Sequence, residues 1–531
     1  METSVKTFLS AILTAMTLGT AFPALAAPQV TSVLKTDGGP VRGIEQGAMN
    51  AYLGIPYAAP PVGNLRWMPP QKPASWTSVL NASKFASSCA QNADLGVFAK
   101  AGGTEDCLYL NVYVGKQAAK SGEKLPVLFW IHGGSLWVGS GDDYDASKLA
   151  VDGKAIVVTI NYRLGMFGFF AHPAIDREGH MFANYGLMDQ QFAMDWVQRN
   201  IAQFGGDPGN VTIFGESSGG NSVLSQMAAP SSAGKFQHAI AMSGATVMQK
   251  HPAFGSTRPL DAAEEVGTAF AKAAGCDVAS AADCLRGLTV GQILAIQRPY
   301  LINQTIVDGT FMPTTPAEAF KSGKFNHVTL INGNVRDEGT FFVGFPENET
   351  GVAMTEDAYV STIKSFYGEP LAQRVLEQYP ASKYNTPSEA FAAANTASQF
   401  ACPARMVNQW VSKIVPTYAY EFGDRTAPSY LEPTTFPLKA AHTYELPYLF
   451  PGFHGGAGRP VSLNPLQEKL SDEMVQLWAQ TGKATSRESV WPRYDAAKDN
   501  YLSLSLPRAE MMTQPFGDTH NCKFWDGTGL Y

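Results

Sequence analysis

The stretch Val211-Thr-Ile-Phe-Gly-Glu-Ser-Ser-Gly-Gly220 joins a short apolar run to a turn of small residues. Val211 to Phe214 are apolar or β-branched and suit a buried strand. Gly215-Glu216-Ser217-Ser218-Gly219 has the spacing G-x-S-x-G, and Asn221 to Ala228 can follow as a helix. Strand, G-x-S-x-G and helix in that order are the context of a nucleophile elbow. The turn is so sharp that only small residues fit beside its serine. The spacing alone carries little, because a chain with 50 Gly among 531 residues meets it readily by chance. Its weight comes from the rest of the chain.

The chain is 45% hydrophobic and 16% charged, which suits a large core and argues against disorder. A net charge of −7 with no basic run argues against nucleic acid as a partner. Lys6, the mostly apolar Phe8 to Phe22 and Ala24-Leu25-Ala26 form the three parts of a signal peptide. Residues 1–26 are expected to be removed near Ala26, leaving 27–531 as the exported chain, periplasmic or secreted. A membrane anchor is the other reading, but the run is short and a cleavage site follows it. No later segment is apolar for long enough to span a bilayer. Export permits disulfides. Six cysteines, Cys89, Cys107, Cys276, Cys284, Cys402 and Cys522, fit three bridges whose pairing the spacing leaves open. No pair has C-x-x-C spacing, so neither a metal site nor a redox motif is expected.

Val30 to Leu53, broken by Gly38-Gly39-Pro40 and Gly43, reads as an antiparallel edge hairpin. A Pro-pinned loop follows from Gly54 to Pro70. Leu108 to Val114, Leu125 to Ile131, Ala155 to Tyr162, His238 to Met242, Val328 to Asn332 and Thr417 to Phe422 read as strands. Leu187 to Phe204 has helical apolar spacing and is stopped by Gly205-Gly206-Asp207-Pro208. Ala262 to Ala274 and Leu466 to Gln480 are further helices. Buried strands alternating with amphipathic helices imply a mainly parallel sheet covered on both faces. One α/β domain with long insertions fits better than two, with 250–330 a candidate subdomain.

A serine hydroxyl needs a base, usually His, and an acid to orient that base. In the elbow architecture the chain order is Ser, then Asp or Glu, then His. Asp337-Glu338-Gly339 follows the Val328 strand, and residue chemistry does not choose between the two carboxylates. Nine histidines compete for the base: His132, His172, His180, His238, His251, His327, His442, His454 and His520. If Thr417 to Phe422 is the last core strand, His442, His454 and His520 remain, and position favours His442. The oxyanion of a tetrahedral intermediate needs fixed N–H donors. Ser218 follows the nucleophile, and Gly133-Gly134-Ser135 follows an earlier buried strand.

With these pieces in place the chain resembles the type-B carboxylesterase/lipase family of α/β-hydrolases, which includes cholinesterases and bacterial p-nitrobenzyl esterases. The resemblance covers nearly the whole chain after the signal. It rests on Gly54-Ile-Pro-Tyr-Ala, Glu105-Asp-Cys-Leu-Tyr-Leu-Asn-Val112, Ile131-His-Gly-Gly and Asn161-Tyr-Arg-Leu-Gly. It continues through Asn184-Tyr-Gly-Leu-Met-Asp-Gln, Phe214-Gly-Glu-Ser-Ser-Gly-Gly, Asp337-Glu-Gly and His442-Thr-Tyr-Glu-Leu-Pro-Tyr. It implies an α/β-hydrolase fold, a mostly parallel central sheet flanked by helices on both faces, with long insertions. It implies Ser217 as nucleophile, His442 as base, Glu338 as acid, and the amides of Gly134, Ser135 and Ser218 as oxyanion donors. It implies the bridges Cys89–Cys107, Cys276–Cys284 and Cys402–Cys522, and buried ion pairs Arg66–Glu105 and Arg163–Asp189. Ser243 matches a serine supporting the elbow, and Glu216 lies beside the nucleophile without belonging to the triad.

Two positions depart from the family pattern. Ser135 stands where Gly or Ala is common, and Ser218 where Ala is usual. Both keep the backbone N–H. The loop Ala90 to Asp106 lacks the Trp that cholinesterases use for a quaternary ammonium, and Phe98 is its only aromatic residue, so a choline ester is not expected.

The resulting expectation is an exported serine carboxylester hydrolase working through an acyl-enzyme on a small-molecule ester, without metal or cofactor. Trp137, Phe341 and Phe342 are candidate walls of an apolar pocket. The alternatives are a specialised lipase, a carbamate or amide hydrolase, a polymer or natural-product esterase, or a non-catalytic adhesion relative. The complete Ser, Glu and His set speaks against the last.

Overall fold

The computed structural model describes residues 29–117, 122–245, 257–431, 434–482 and 490–531. The expected signal peptide and His251 lie outside the described residues.

A strand whose two faces are both apolar must be covered twice. Along Leu125–Ile131, Val127, Phe129 and Ile131 enter one core while Leu128 and Trp130 enter the other. The same division runs through a main sheet of eleven strands among the described residues. In chain order they are β1 (Ile44–Gln46), β2 (Met49–Pro56), β3 (Tyr109–Gly115), β4 (Leu125–Ile131), β5 (Ile156–Ile160) and β6 (Gly206–Glu216). Then come β7 (His238–Met242), β8 (Thr329–Val335), β9 (Thr417–Phe422), β10 (Leu502–Leu504) and β11 (Glu510–Met511). Across the sheet the order is β11-β10-β9-β8-β7-β6-β4-β5-β3-β2-β1. The strands from β10 to β5 pair in parallel, and the rest are antiparallel.

Helices α1 (Tyr185–Asn200), α2 (Ser218–Ala228) and α3 (Leu260–Ala273) cover one face through residues such as Trp196, Leu224 and Phe270. On the other face, α4 (Glu338–Thr350) contributes Val343, and α5 (Pro465–Ala479) contributes Leu470, Met474 and Trp478. Ile293 and Ile306, inside 250–330, belong to the same core as α1.

Some boundaries differ from the sequence expectation. β8 continues to Val335, past Asn332, because its polar residues are buried with partners: Asn332 Nδ2 donates to Ala404 O at 3.0 Å, and Asn334 Nδ2 to Val335 O at 2.8 Å. Thr417–Phe422 is not the last core strand. β10 and β11 extend the sheet beyond it, and three and two residues are too short for a periodic signal. α2 begins at Ser218, directly after the elbow serine, rather than at Asn221.

The three disulfides pair Cys89–Cys107, Cys276–Cys284 and Cys402–Cys522. Arg66 grips Glu105 with two bonds of 2.6 Å, and Arg163 grips Asp189 with bonds of 2.8 and 2.7 Å, all four side chains being buried. Asp176 has no such partner. Both its carboxylate oxygens are buried, with no cation beside them among the described residues and the Glu264 carboxyl as neighbour. Burial, and then the neighbouring Glu264 charge, push its pKa up to about 8. The folded chain therefore keeps a proton that the unfolded chain gives up above the ordinary value of 3.8, so stability falls as pH rises through this window. Asp176→Asn is expected to stabilise the protein by about 1–3 kcal/mol at the upper end of the window and much less at its lower end. Thermal unfolding of both proteins across the window checks this, and a gain independent of pH would contradict it.

Candidate active site

β6 ends at Glu216 and α2 starts at Ser218, so Ser217 alone makes the turn, at φ +57° and ψ −125°. A residue with a side chain rarely holds positive φ without help. Ser217 N–H donates to Met242 O of β7 at 2.9 Å, and Asn221 N–H bonds back to Ser217 O at 2.9 Å. Behind the turn, α2 lies against the end of β4 at Gly219, where a Cβ would stand only 2.1 Å from Ile131 O. Any larger residue there would drive the helix off the strand.

The sheet register brings the second part of the site alongside. Ile131, the last residue of β4, is level with Gly215 in β6. The loop leaving β4 therefore starts beside the elbow. Gly134, Ser135 and Leu136 take φ of +100°, +56° and +63°. The amides of Gly134 and Ser135 have no protein acceptor among the described residues, and both residues line a cavity beside Ser217. Ser218, as the first residue of α2, has no carbonyl one turn back to take its N–H. His132 underpins this loop. Its ring stacks on Tyr162 at 4.4 Å, and its Nδ1 bonds Gly133 O at 2.8 Å. Burial lowers its pKa to about 4, so the ring is neutral.

The third part arrives from two distant segments. Glu338 opens α4 three residues after β8, and His442 sits in the long connection after β9. His442 Nδ1 meets Glu338 Oε2 at 2.5 Å, while Val335 N–H donates to Glu338 Oε1 at 3.0 Å. Both side chains are buried. Asp337, the other carboxylate of the pair, faces away into bonds of 2.9 and 2.6 Å from Arg425. The rival histidines are engaged elsewhere: His454 Nδ1 with Gly452 O at 2.6 Å, and His520 Nε2 with Glu421 Oε1 at 2.5 Å.

Glu216 Oε1 lies 3.3 Å from His442 Nε2, on the opposite side of the ring from Glu338. Burial, and then the Glu338 charge, raise the Glu216 carboxyl well above the ordinary range. Glu445, buried with both oxygens unpartnered among the described residues, is raised for the same two kinds of reason: burial first, then the charges of Glu216 and Glu338. The low dielectric around the imidazole thus disfavours the charged form of Glu216 and of Glu445.

Ser217 and His442 both line a cavity of about 230 Å³. Its walls are aromatic. Phe341 and Phe342 line it together with Phe98, Tyr144, Phe345 and Phe453. Trp137 does not line it. It is half-buried in the loop after β4, its indole N–H without a partner among the described residues. Ser243 takes φ +51° directly after β7, its N–H donating to Gly333 O at 2.9 Å. Phe345 had a readable signal, one helical turn after Phe341. Tyr144 and Phe453 had none, since neither is near a motif in the chain.

The model of the carboxylesterase family matches residues 30–525. Acylcarnitine hydrolase of Mus musculus is 33% identical, the match covering 91% of this chain and 89% of that protein. Para-nitrobenzyl esterase of Bacillus subtilis is 34% identical, covering 87% of this chain and 92% of that protein. Among solved structures, a thermophilic PNB esterase superposes with a TM-score of 0.77 at 29% identity, covering 93% of this chain and all of that one.

Glu338→Gln keeps the shape of the side chain but offers His442 an amide in place of a charge. It is expected to lower kcat for a p-nitrophenyl ester by about 10³–10⁴ with little change in the folded structure. Steady-state kinetics together with circular dichroism check this. A loss of less than tenfold would remove Glu338 from the chemistry.

Proposed function

The chain belongs to the carboxylesterase family and hydrolyses carboxylic esters, and we propose that it does so through an acyl-enzyme on Ser217. His442 Nε2 takes the Ser217 proton as Oγ attacks the ester carbonyl. Glu338 holds the Nδ1–H tautomer and stabilises the imidazolium. The carbonyl oxygen, now an oxyanion, sits on the amides of Gly134, Ser135 and Ser218, each such donor contributing about 10²–10³ in rate. His442 returns the proton to the leaving alkoxide, the alcohol departs, and water repeats the sequence to release the acid. One observation carries this reading. Ser217, His442 and two unoccupied loop amides line one cavity, with Glu338 directly behind the imidazole.

The cavity also speaks to the substrate. Among the described residues its lining has no Lys, Arg or Asp, and burial disfavours the charged form of Glu216, its one acid. Aromatic walls of that kind favour a neutral ester with an apolar acyl or alcohol group. Each methylene that fits adds about 0.8 kcal/mol, and one beyond the cavity adds nothing. An acyl series on p-nitrophenyl esters is expected to peak at short chains and fall for long ones. Ser217→Ala is expected to abolish turnover in the same assay while the protein stays folded, and an organophosphate to label Ser217 once. Label on another serine, or undiminished activity in Ser217→Ala, would refute the mechanism; a preference for long chains would instead favour a lipase.

Residues 27–531 are proposed to act as one catalytic domain, exported to the periplasm or the medium after loss of residues 1–26. Lys6, the apolar run to Phe22, Ala24-Leu25-Ala26 and the three disulfides support this. No helix among the described residues is long and apolar enough to cross a membrane. Mass spectrometry of the exported protein is expected to find Ala27 at its start, and an intact residue 1 in that material would contradict the proposal.

A further inference from the structure

The loop after β4 divides its amides sharply. Those of Gly134 and Ser135 are unoccupied among the described residues. Those of Trp137 and Val138 both donate to Gly134 O, at 3.0 and 3.1 Å. The one between them, Leu136 N–H, donates to Ser218 Oγ at 3.2 Å, where both residues are buried. Ser135 and Leu136 are left-handed at φ +56° and +63°, although each carries a side chain. That conformation is unfavourable for both unless something holds it. The hydroxyl bonded to that loop belongs to Ser218, whose own amide is the third donor of the proposed mechanism. Its hydrogen also has somewhere to go. The Tyr162 hydroxyl lies beside Ser218, and its own hydrogen is spent on His132 O at 2.7 Å, which leaves its oxygen open as an acceptor.

We propose that the Ser218 hydroxyl is a positioning group for the oxyanion hole, holding Ser135 and Leu136 left-handed so that the Ser135 amide stays aimed at the developing oxyanion. This rests on the ester-hydrolase reading above. Without the hydroxyl, Leu136 N–H is buried with no acceptor, and the strained pair relaxes by rotating the amides out of line. The backbone N–H of residue 218 survives in any substitution, so its contribution is separate. The strain is also local. With glycine at 135 the left-handed conformation costs little, and the hydroxyl has less to hold. Ser135 and Ser218, the two positions that depart from the family pattern, therefore act as a coupled pair.

The test is a cycle of Ser218→Ala, Ser135→Gly and the double variant, with wild type and Ser217→Ala in the same p-nitrophenyl butyrate assay. Ser218→Ala is expected to lower kcat roughly three- to tenfold with KM nearly unchanged, and to weaken a trifluoromethyl ketone transition-state analogue by the same factor. In the Ser135→Gly background the same substitution is expected to cost less than twofold. Wild-type kcat in folded Ser218→Ala would overturn the proposal, as would an equal loss in both backgrounds. Should Ser218→Ala alone fail to fold, the double variant, relieved of the strain at residue 135, is expected to fold; its failure would show that the hydroxyl supports something other than the conformation of residue 135 and would equally overturn the proposal. Absence of turnover in wild type would instead refute the ester-hydrolase reading on which it rests.

Discussion

The packing of Gly219 onto the carbonyl of Ile131 is the contact on which the site is built. A Cβ at Gly219 would stand 2.1 Å from that oxygen, so α2 can lie against the end of β4 only because there is none. From that approach follows the sharpness of the turn at Ser217. From it also follows the nearness of the loop that leaves β4, since the elbow and the loop start from neighbouring, register-matched strand ends. Two chain segments some eighty residues apart in sequence are thus brought side by side by sheet register, and side chains such as His132 and Ser218 then bond the loop where it lies. The parallel sheet supplies the rigidity this needs, because its central strands are covered on both faces.

Around that frame the electrostatics are set by exclusion of water. Three carboxyl groups, Glu216, Glu338 and Glu445, are buried near one imidazole. They cannot all be charged in so poor a dielectric. Glu338 receives a backbone N–H and the His442 ring, whereas Glu216 Oε1 and both Glu445 oxygens receive no hydrogen bond among the described residues. The hydrogen-bond donors are therefore gathered on Glu338. On the proposed mechanism this asymmetry gives the imidazole one orienting partner and leaves its other nitrogen free to move a proton.

The cavity has a different origin. Its walls come from segments that share no regular element: the Cys89–Cys107 loop with Phe98, the first turns of α4 with Phe341 and Phe345, and the stretch through Leu446 and Phe453. The rings meet edge to face, Phe98 against Phe341 at 5.5 Å and Phe341 against Phe342 at 5.2 Å. Phe342 in turn lies 4.9 Å from the His442 ring. The cavity walls thus depend on loops held by one disulfide and by aromatic contacts, while the proposed bond-making groups depend on the sheet.

The amino-acid sequence by itself determined the fold class, the elbow at Ser217 and the glycine-rich loop after β4. Those features are local: a buried strand must be apolar, and a backbone pressed against another must be glycine, whatever the rest of the chain does. Choosing Glu338 over Asp337 and His442 over two rivals took a family resemblance, because spacing treats neighbouring carboxylates alike. The tertiary structure alone decided three things. It left Trp137 out of the cavity lining and brought Tyr144 and Phe453 into it. It placed Glu216 beside His442 Nε2. It bonded the Ser218 hydroxyl to the amide of Leu136. Each is a contact between side chains or loops remote in sequence, governed by how insertions pack, and no periodicity along the chain encodes where two such segments meet.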